Sequence, residues 1–140
     1  MAWVGADRAA RQAAEAGMNT ILSPQIPYYI NRRQAKGPFE PLTQGNGSET
    51  VEAVYAYVPA AGVQEALQPR YLGVQANFWS EWVETADCLQ YLMLPRLAAV
   101  AEAGWTPQAQ RSYSDFVKRM QGEPAFYQMM GWSYGPHIFQ

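Results

Sequence analysis

Gly73-Val74-Gln75-Ala76-Asn77-Phe78-Trp79-Ser80-Glu81-Trp82 begins as a run that can pair as a buried strand and ends in an aromatic ring, a hydroxyl, a carboxylate and a second ring. The strand is predicted over Tyr71 to Phe78. Such an ending suits recognition of a polyhydroxylated ring. An indole face covers the C–H face of a pyranose, and a carboxylate accepts from its hydroxyls. The plainer alternative is a strand that ends in core tryptophans beside a solvated glutamate, because Trp is mostly buried for packing reasons.

Toward the N-terminus, Trp3 and Val4 read as the end of a strand, so the chain is expected to be the C-terminal piece of something longer. Asp7 is placed to cap a helix over Arg8 to Ala16, with Gly17 in the C′ position. Met18 to Ser23 reads as a second buried strand, stopped by Pro24 and Pro27. Strand, helix and strand with short connections fit a right-handed parallel crossover. From Pro24 to about Thr50 the chain reads as an irregular, functional loop. Ser48 is expected to cap a short helix through Tyr55, a stronger reading of Asn46-Gly47-Ser48 than a glycosylation acceptor.

Beyond the quoted stretch, Thr85 or Asp87 caps the longest predicted helix, Cys88 to about Ala103, closed by Gly104 and kinked at Pro95. Leu89, Leu92, Met93, Leu97, Val100 and Ala101 recur at helical spacing and are expected to face the core. Ser112 caps a final helix through Met120, with Phe116, Val117 and Met120 on one side. The aromatic tail from Pro124 is expected to pack back irregularly, with one short helix. The order β-α-β-loop-α-β-α-α gives an α/β layer or a segment of a (β/α)₈ barrel.

The 140 residues fit one domain, and at 49% hydrophobic and 14% aromatic they can build a core. A charged fraction of 16%, a formal net charge of −2 and no basic block argue against nucleic acid or an anionic membrane as partner. The apolar runs fall short of the roughly 20 residues of a membrane span, and Met1 to Gly5 lacks the pattern of a signal peptide. The single cysteine, Cys88, excludes an internal disulfide and a cysteine-based zinc site, and reads as a buried inert thiol.

In an α/β barrel the working residues sit at the C-terminal ends of the strands. Here those ends offer Trp3; then Tyr28, Tyr29 and Asn31; then Trp79, Glu81 and Trp82. Rings with a carboxylate, an amide and phenols suit a neutral polyhydroxylated ligand with apolar patches; core aromatics under a long loop are the alternative. Catalytic constellations are missing. The single histidine, His137, reads as incidental, no nucleophile elbow, phosphate loop or His-Glu-x-x-His occurs, and Glu81 has no evident acidic partner for glycosidase chemistry. Glu84 and Asp87 more simply favour the start of the next helix.

Several stretches, in the right order, resemble the family 20 glycoside hydrolases, the β-N-acetylhexosaminidases. Ala2-Trp3-Val4-Gly5 with Ala13-Ala14-Glu15-Ala16-Gly17 is similar to the sixth barrel strand and helix. Ile21-Leu22-Ser23-Pro24 with Tyr29-Ile30-Asn31 resembles the seventh strand and its Tyr-Leu-Asp motif. Val54 to Pro59 resembles the connecting segment, Gly73 to Glu81 the eighth strand, and Pro95 to Trp105 the eighth helix. The resemblance runs along the whole chain, and its last two motifs are specific when taken together.

The resemblance implies the C-terminal segment, about strands six to eight with their helices, of an incomplete (β/α)₈ TIM barrel. It implies that Trp3 and Trp79 wall a pocket around the N-acetyl group in the −1 subsite, and that Tyr29 donates to the acetamido carbonyl oxygen, the family's nucleophile. Glu81 would accept from the sugar's outer hydroxyls, and Asn31 stands where the family usually has Asp. The family's Asp-Glu pair, of which the Glu is the general acid, is absent here, and so are strands one to five and a third pocket tryptophan. Phe39 is a weak substitute for the outer-subsite tryptophan.

The parent would therefore cleave terminal β-linked N-acetylglucosamine or N-acetylgalactosamine by substrate-assisted retaining catalysis, and this chain alone would be inactive. No cofactor or metal is expected. The expected partners are N-acetylhexosamine glycans and the remaining barrel strands, or further copies of the chain, because open strand edges invite association. Any export signal would lie upstream, with a periplasmic or secreted location for a bacterial protein. A non-catalytic carbohydrate-binding α/β module is the functional alternative, and a structural domain whose aromatics are only core is the third.

Overall fold

The computed structural model describes residues 1–45 and 47–139. The glycosylation reading at Asn46 therefore lies outside the described residues. The elements are α1 (Ala6–Glu15), β1 (Thr20–Leu22), the single turn α2 (Gln25–Tyr28), α3 (Val51–Ala56), a 3₁₀ segment (Glu65–Arg70), β2 (Tyr71–Val74), α4 (Ala86–Met93), α5 (Arg96–Trp105), a short 3₁₀ segment (Gln108–Gln110), α6 (Tyr113–Met120) and α7 (Glu123–Met129).

β1 and β2 pair in parallel, with Leu22 opposite Val74, and Ala2 adds a parallel bridge to Leu22. Three chain segments thus run side by side in one direction, as the β-α-β order predicts. Parallel neighbours need a long crossover, here supplied by α1 between the first two. The strands are shorter than predicted. Trp3 and Val4 lie outside the ladder, and β2 stops at Val74, with a separate parallel bridge joining Asn77 to Tyr29.

α1 buries Ala6, Ala10 and Ala14, a stripe at four-residue spacing whose small side chains let the helix lie close to Ala2 and Leu22. Its N-cap is Gly5, in the left-handed region at φ 60°, rather than Asp7. Asp7 instead accepts a hydrogen bond from the Tyr57 hydroxyl at 2.9 Å. Thr50, not Ser48, caps α3, accepting from the Ala53 N–H at 3.1 Å; Ser48 is occupied in a bridge to Arg33. Of the two candidates Thr85 and Asp87, Thr85 caps α4, and Ser112 caps α6 as predicted.

The main core lies among α3, α5 and α6, where Tyr28, Val51, Val54, Tyr55, Ala99, Val100, Ala103, Phe116 and Met120 are buried. The helix predicted over 88–103 is two helices, because Pro95 ends α4 and α5 starts again at Arg96. The break changes the buried face. Leu92 and Val100 are buried, but Leu89 and Leu97 are more than a third exposed and Ala101 is exposed, while Arg96, Ala99 and Ala103 point inward. α5 runs on through Gly104, where a Cβ would meet Val74 Cγ2 at 3.0 Å, so the glycine permits the close approach of helix to strand. Cys88 is half-buried rather than buried, and both burial and nearby Glu84 push its thiol upward. On the sheet, Ile21 and Leu72 remain exposed.

Candidate active site at the strand ends

Parallel strands deliver the residues that follow them to one edge of the sheet. Trp3 follows the bridge at Ala2, its carbonyl accepting from the Gln25 N–H at 3.3 Å. Tyr29 follows α2 and is fixed to the third segment: the Ile30 N–H donates to the Asn77 carbonyl at 3.0 Å, and the Asn77 N–H donates to the Tyr28 carbonyl at 2.9 Å. Asn77 is in turn locked by its side chain. It donates to Ser23 Oγ at 2.7 Å and accepts from Gln75 at 2.8 Å.

These constraints bring Trp3, Tyr29, Trp79 and Glu81 to the lining of one hollow of about 380 Å³, completed by Met1, Gln25, Gln44 and Asn77. The Trp3 and Tyr29 rings are parallel within 1° at a centroid separation of 6.3 Å. Tyr29 and Trp79 stand 6.0 Å apart at 58°. Trp3 and Trp79 are 50% and 45% exposed, so each offers a free ring face, whereas Tyr29 is 4% exposed and held from behind. A carboxylate, three amides and three rings face a space of pyranose size.

Other predicted residues are elsewhere. Asn31 does not line the hollow; it is buried nearby, and neither of its amide atoms has a hydrogen-bond partner among the described residues. Tyr28 is fully buried in the helical core. Trp82 lines an adjoining depression with Leu42, Glu81, Glu84, Thr85 and Cys88. Phe39 is 97% exposed and lines no part of the hollow. Asn77, Gln25 and Gln44 also line the hollow, although no motif in the sequence marks the two glutamines. Asn77 had a signal, since it stands two residues before Trp79 on a stretch of strand period.

His137 is not idle. Its Nε2 lies 2.9 Å from Glu40 Oε1 and 3.1 Å from the Tyr91 hydroxyl, which itself donates to Glu40 at 2.7 Å. This cluster ties the loop after Tyr29 to the C-terminal segment. Burial and donation to Glu40 hold the Tyr91 phenol well above its ordinary range. Among the described residues, no group of three or more His, Cys, Asp or Glu is arranged to hold a metal ion, and no helix is long and apolar enough to cross a membrane.

Glu49, buried beneath the same loop, is pushed upward by desolvation, against the opposing charges of Arg32 at 3.9 Å and Arg96. A carboxyl raised on folding contributes stability in full below the ordinary carboxylate range and loses it as pH rises through the raised value. Glu49→Gln removes that loss. The stability of the variant relative to wild type is therefore expected to grow from pH 4 to pH 7 in urea titrations. A difference that is flat or falls with pH contradicts the assignment.

Comparison with known proteins decides the family. The profile of glycosyl hydrolase family 20, catalytic domain, matches residues 1–108. The chain belongs to glycosyl hydrolase family 20. A beta-hexosaminidase of Porphyromonas gingivalis (strain ATCC BAA-308 / W83) is 36% identical over 136 residues, which is 96% of this chain and 17% of that protein. A beta-hexosaminidase of Vibrio furnissii is 35% identical over 100 residues, 70% of this chain and 16% of that protein. The structure of a GH20 exo beta-N-acetylglucosaminidase from Vibrio harveyi in complex with N-acetylglucosamine superposes with a TM-score of 0.87 at 29% identity, covering 94% of this chain and 21% of that one. The family 20 chain thus spans about a sixth to a fifth of the length of these relatives, and its fold is that of part of a TIM-barrel family.

Proposed function

We propose that this chain is the C-terminal portion, about strands six to eight, of a β-N-acetylhexosaminidase barrel, and that it supplies one wall of the subsite for a terminal N-acetylhexosamine. The observation that carries the reading is the convergence of Trp3, Tyr29, Trp79 and Glu81 on one hollow. The Vibrio harveyi relative binds N-acetylglucosamine, and membership of the family makes that sugar class the first candidate.

The roles proposed are those the family resemblance implies, and the geometry is compatible with them. The two exposed indoles flank a buried phenol, an apolar surround with one hydroxyl that suits an acetamido group. In substrate-assisted hydrolysis the acetamido oxygen attacks the anomeric carbon and the leaving oxygen takes a proton from a general acid. Tyr29 would hold the acetamido group in the attacking orientation, and orientation of this kind can lower a barrier by several kcal/mol. Glu81, on the rim, would accept from the sugar's outer hydroxyls. Asn31 stays a proposed sugar contact only in the complete barrel, since here it is buried outside the lining, its amide without a partner among the described residues.

The sequence contains no adjacent Asp-Glu pair. Without the general acid the leaving group is not protonated, so the 140-residue chain alone would bind without hydrolysing. The exposed Ile21 and Leu72 are the kind of surface that the rest of a barrel would cover.

Saturation-transfer NMR tests the site directly. Irradiation of the protein is expected to label the acetyl methyl protons of N-acetylglucosamine most strongly and to leave glucose unlabelled, while a chromogenic N-acetylglucosaminide is turned over no faster than in buffer. Equal labelling of both sugars, or none, rejects the subsite; turnover above buffer rejects the missing-acid account.

A further inference from the structure

Arg96, the first residue of α5, is fully buried. A buried guanidinium is tolerated when its donors are satisfied. Among the described residues it forms no ion pair within 4 Å; it is satisfied by backbone carbonyls. Nε donates to Leu92 O at 2.9 Å. Nη1 donates to Glu49 O at 3.0 Å and Arg33 O at 3.4 Å. Nη2 donates to Ile30 O at 2.6 Å and Arg32 O at 2.8 Å, and also to Leu92 O. Three of these acceptors, at positions 30, 32 and 33, begin one residue after Tyr29 and enclose Asn31.

We propose that Arg96 is a positioning residue for the sugar hollow: it clamps the backbone of residues 30–33 onto the break between α4 and α5 and so holds the Tyr29 ring between Trp3 and Trp79. The inference rests on reading the hollow as an N-acetylhexosamine subsite. Ile30 is gripped on both sides, its N–H bonded to Asn77 O at 3.0 Å and its carbonyl to Arg96. The planar fork of arginine can reach acceptors lying in several directions at once. The ammonium of lysine is a point charge with three donors and cannot span them. Arg96 reaches no part of the hollow itself, so its effect on sugar binding passes through the segment it holds.

The test uses the 140-residue chain. Arg96→Lys is expected to speed amide exchange at residues 30–34 and to weaken N-acetylglucosamine binding, each about tenfold. Val54→Ala, in the helical core away from the hollow, is the control: it is expected to lower the melting temperature and leave the sugar affinity unchanged. A third measurement needs no variant to fold. Linkage requires N-acetylglucosamine, when bound to the unmodified chain, to slow exchange at residues 30–34. If unmodified protein does not prefer N-acetylglucosamine to glucose, the subsite reading fails. If it does, but Arg96→Lys binds as tightly as wild type or the sugar leaves exchange at 30–34 unchanged, Arg96 is not a positioning residue. A loss of affinity in Val54→Ala equal to that in Arg96→Lys overturns it as well.

Discussion

Trp79→Ala is expected to abolish the acetyl-methyl saturation signal of N-acetylglucosamine while leaving the fold intact. Trp79 is 45% exposed, so nearly half of its surface is available to be covered by a ligand. Covering an aromatic face of this size stabilises by about 1.5–3 kcal/mol, and each 1.4 kcal/mol is about tenfold in affinity. A loss of at least tenfold is therefore expected. Trp82→Ala is the matched comparison. Trp82 is 46% exposed but lines the adjoining depression, so its removal is expected to leave the signal unchanged. Retention of binding in Trp79→Ala, or its loss in both variants, would show that the hollow is not where the sugar sits.

Phe116→Ala is expected to give the largest loss of stability. Phe116 is 1% exposed and stands at the centre of the α3–α5–α6 core. Its ring lies 5.0 Å from that of Tyr55 and 6.2 Å from that of Tyr113, and the Arg119 guanidinium sits 5.9 Å above it. Truncating a buried phenylalanine costs about 3–5 kcal/mol, a large share of the roughly 5–15 kcal/mol that holds a domain folded. Phe39→Ala makes the same chemical change at a residue 97% exposed and is expected to fall within about 0.5 kcal/mol of wild type. Urea denaturation followed by circular dichroism reads both. Similar midpoints for the two variants would place the core elsewhere.

The residues legible in the sequence were those whose signal is local. Thr85 and Ser112 were identifiable as caps because capping involves a hydroxyl and an N–H three residues on. Phe116 and Met120 were identifiable as core because helical spacing places them on one stripe. Pro95 signalled a disturbance, but not that two helices would result, because whether a chain kinks or restarts after proline depends on what the next turn can bind. Here the next residue is Arg96, and the carbonyls it finds belong to segments some sixty residues away in sequence. The same limit explains Leu97, predicted to face the core and found 39% exposed: the break rotated the stripe.

At the site, Trp3, Tyr29, Trp79 and Glu81 could be gathered from sequence because strand ends in a parallel sheet open on one edge. Asn31 could not be sorted from them. Tyr28 and Tyr29 are neighbours with the same side chain type, yet one is sealed in the helical core and the other lines the hollow.

The sequence by itself determined the β-α-β order, the parallel pairing, the family resemblance and the aromatic-plus-carboxylate character of the strand ends, because periodicity, caps and motifs are short-range properties. The tertiary structure alone decided which of two adjacent tyrosines lines the hollow, where the strands stop, and that a buried guanidinium holds the segment after Tyr29. Those outcomes depend on hydrogen bonds between distant segments, such as Asn77 with Ile30 and Arg96 with Ile30, and such pairings exist only once the chain has closed on itself.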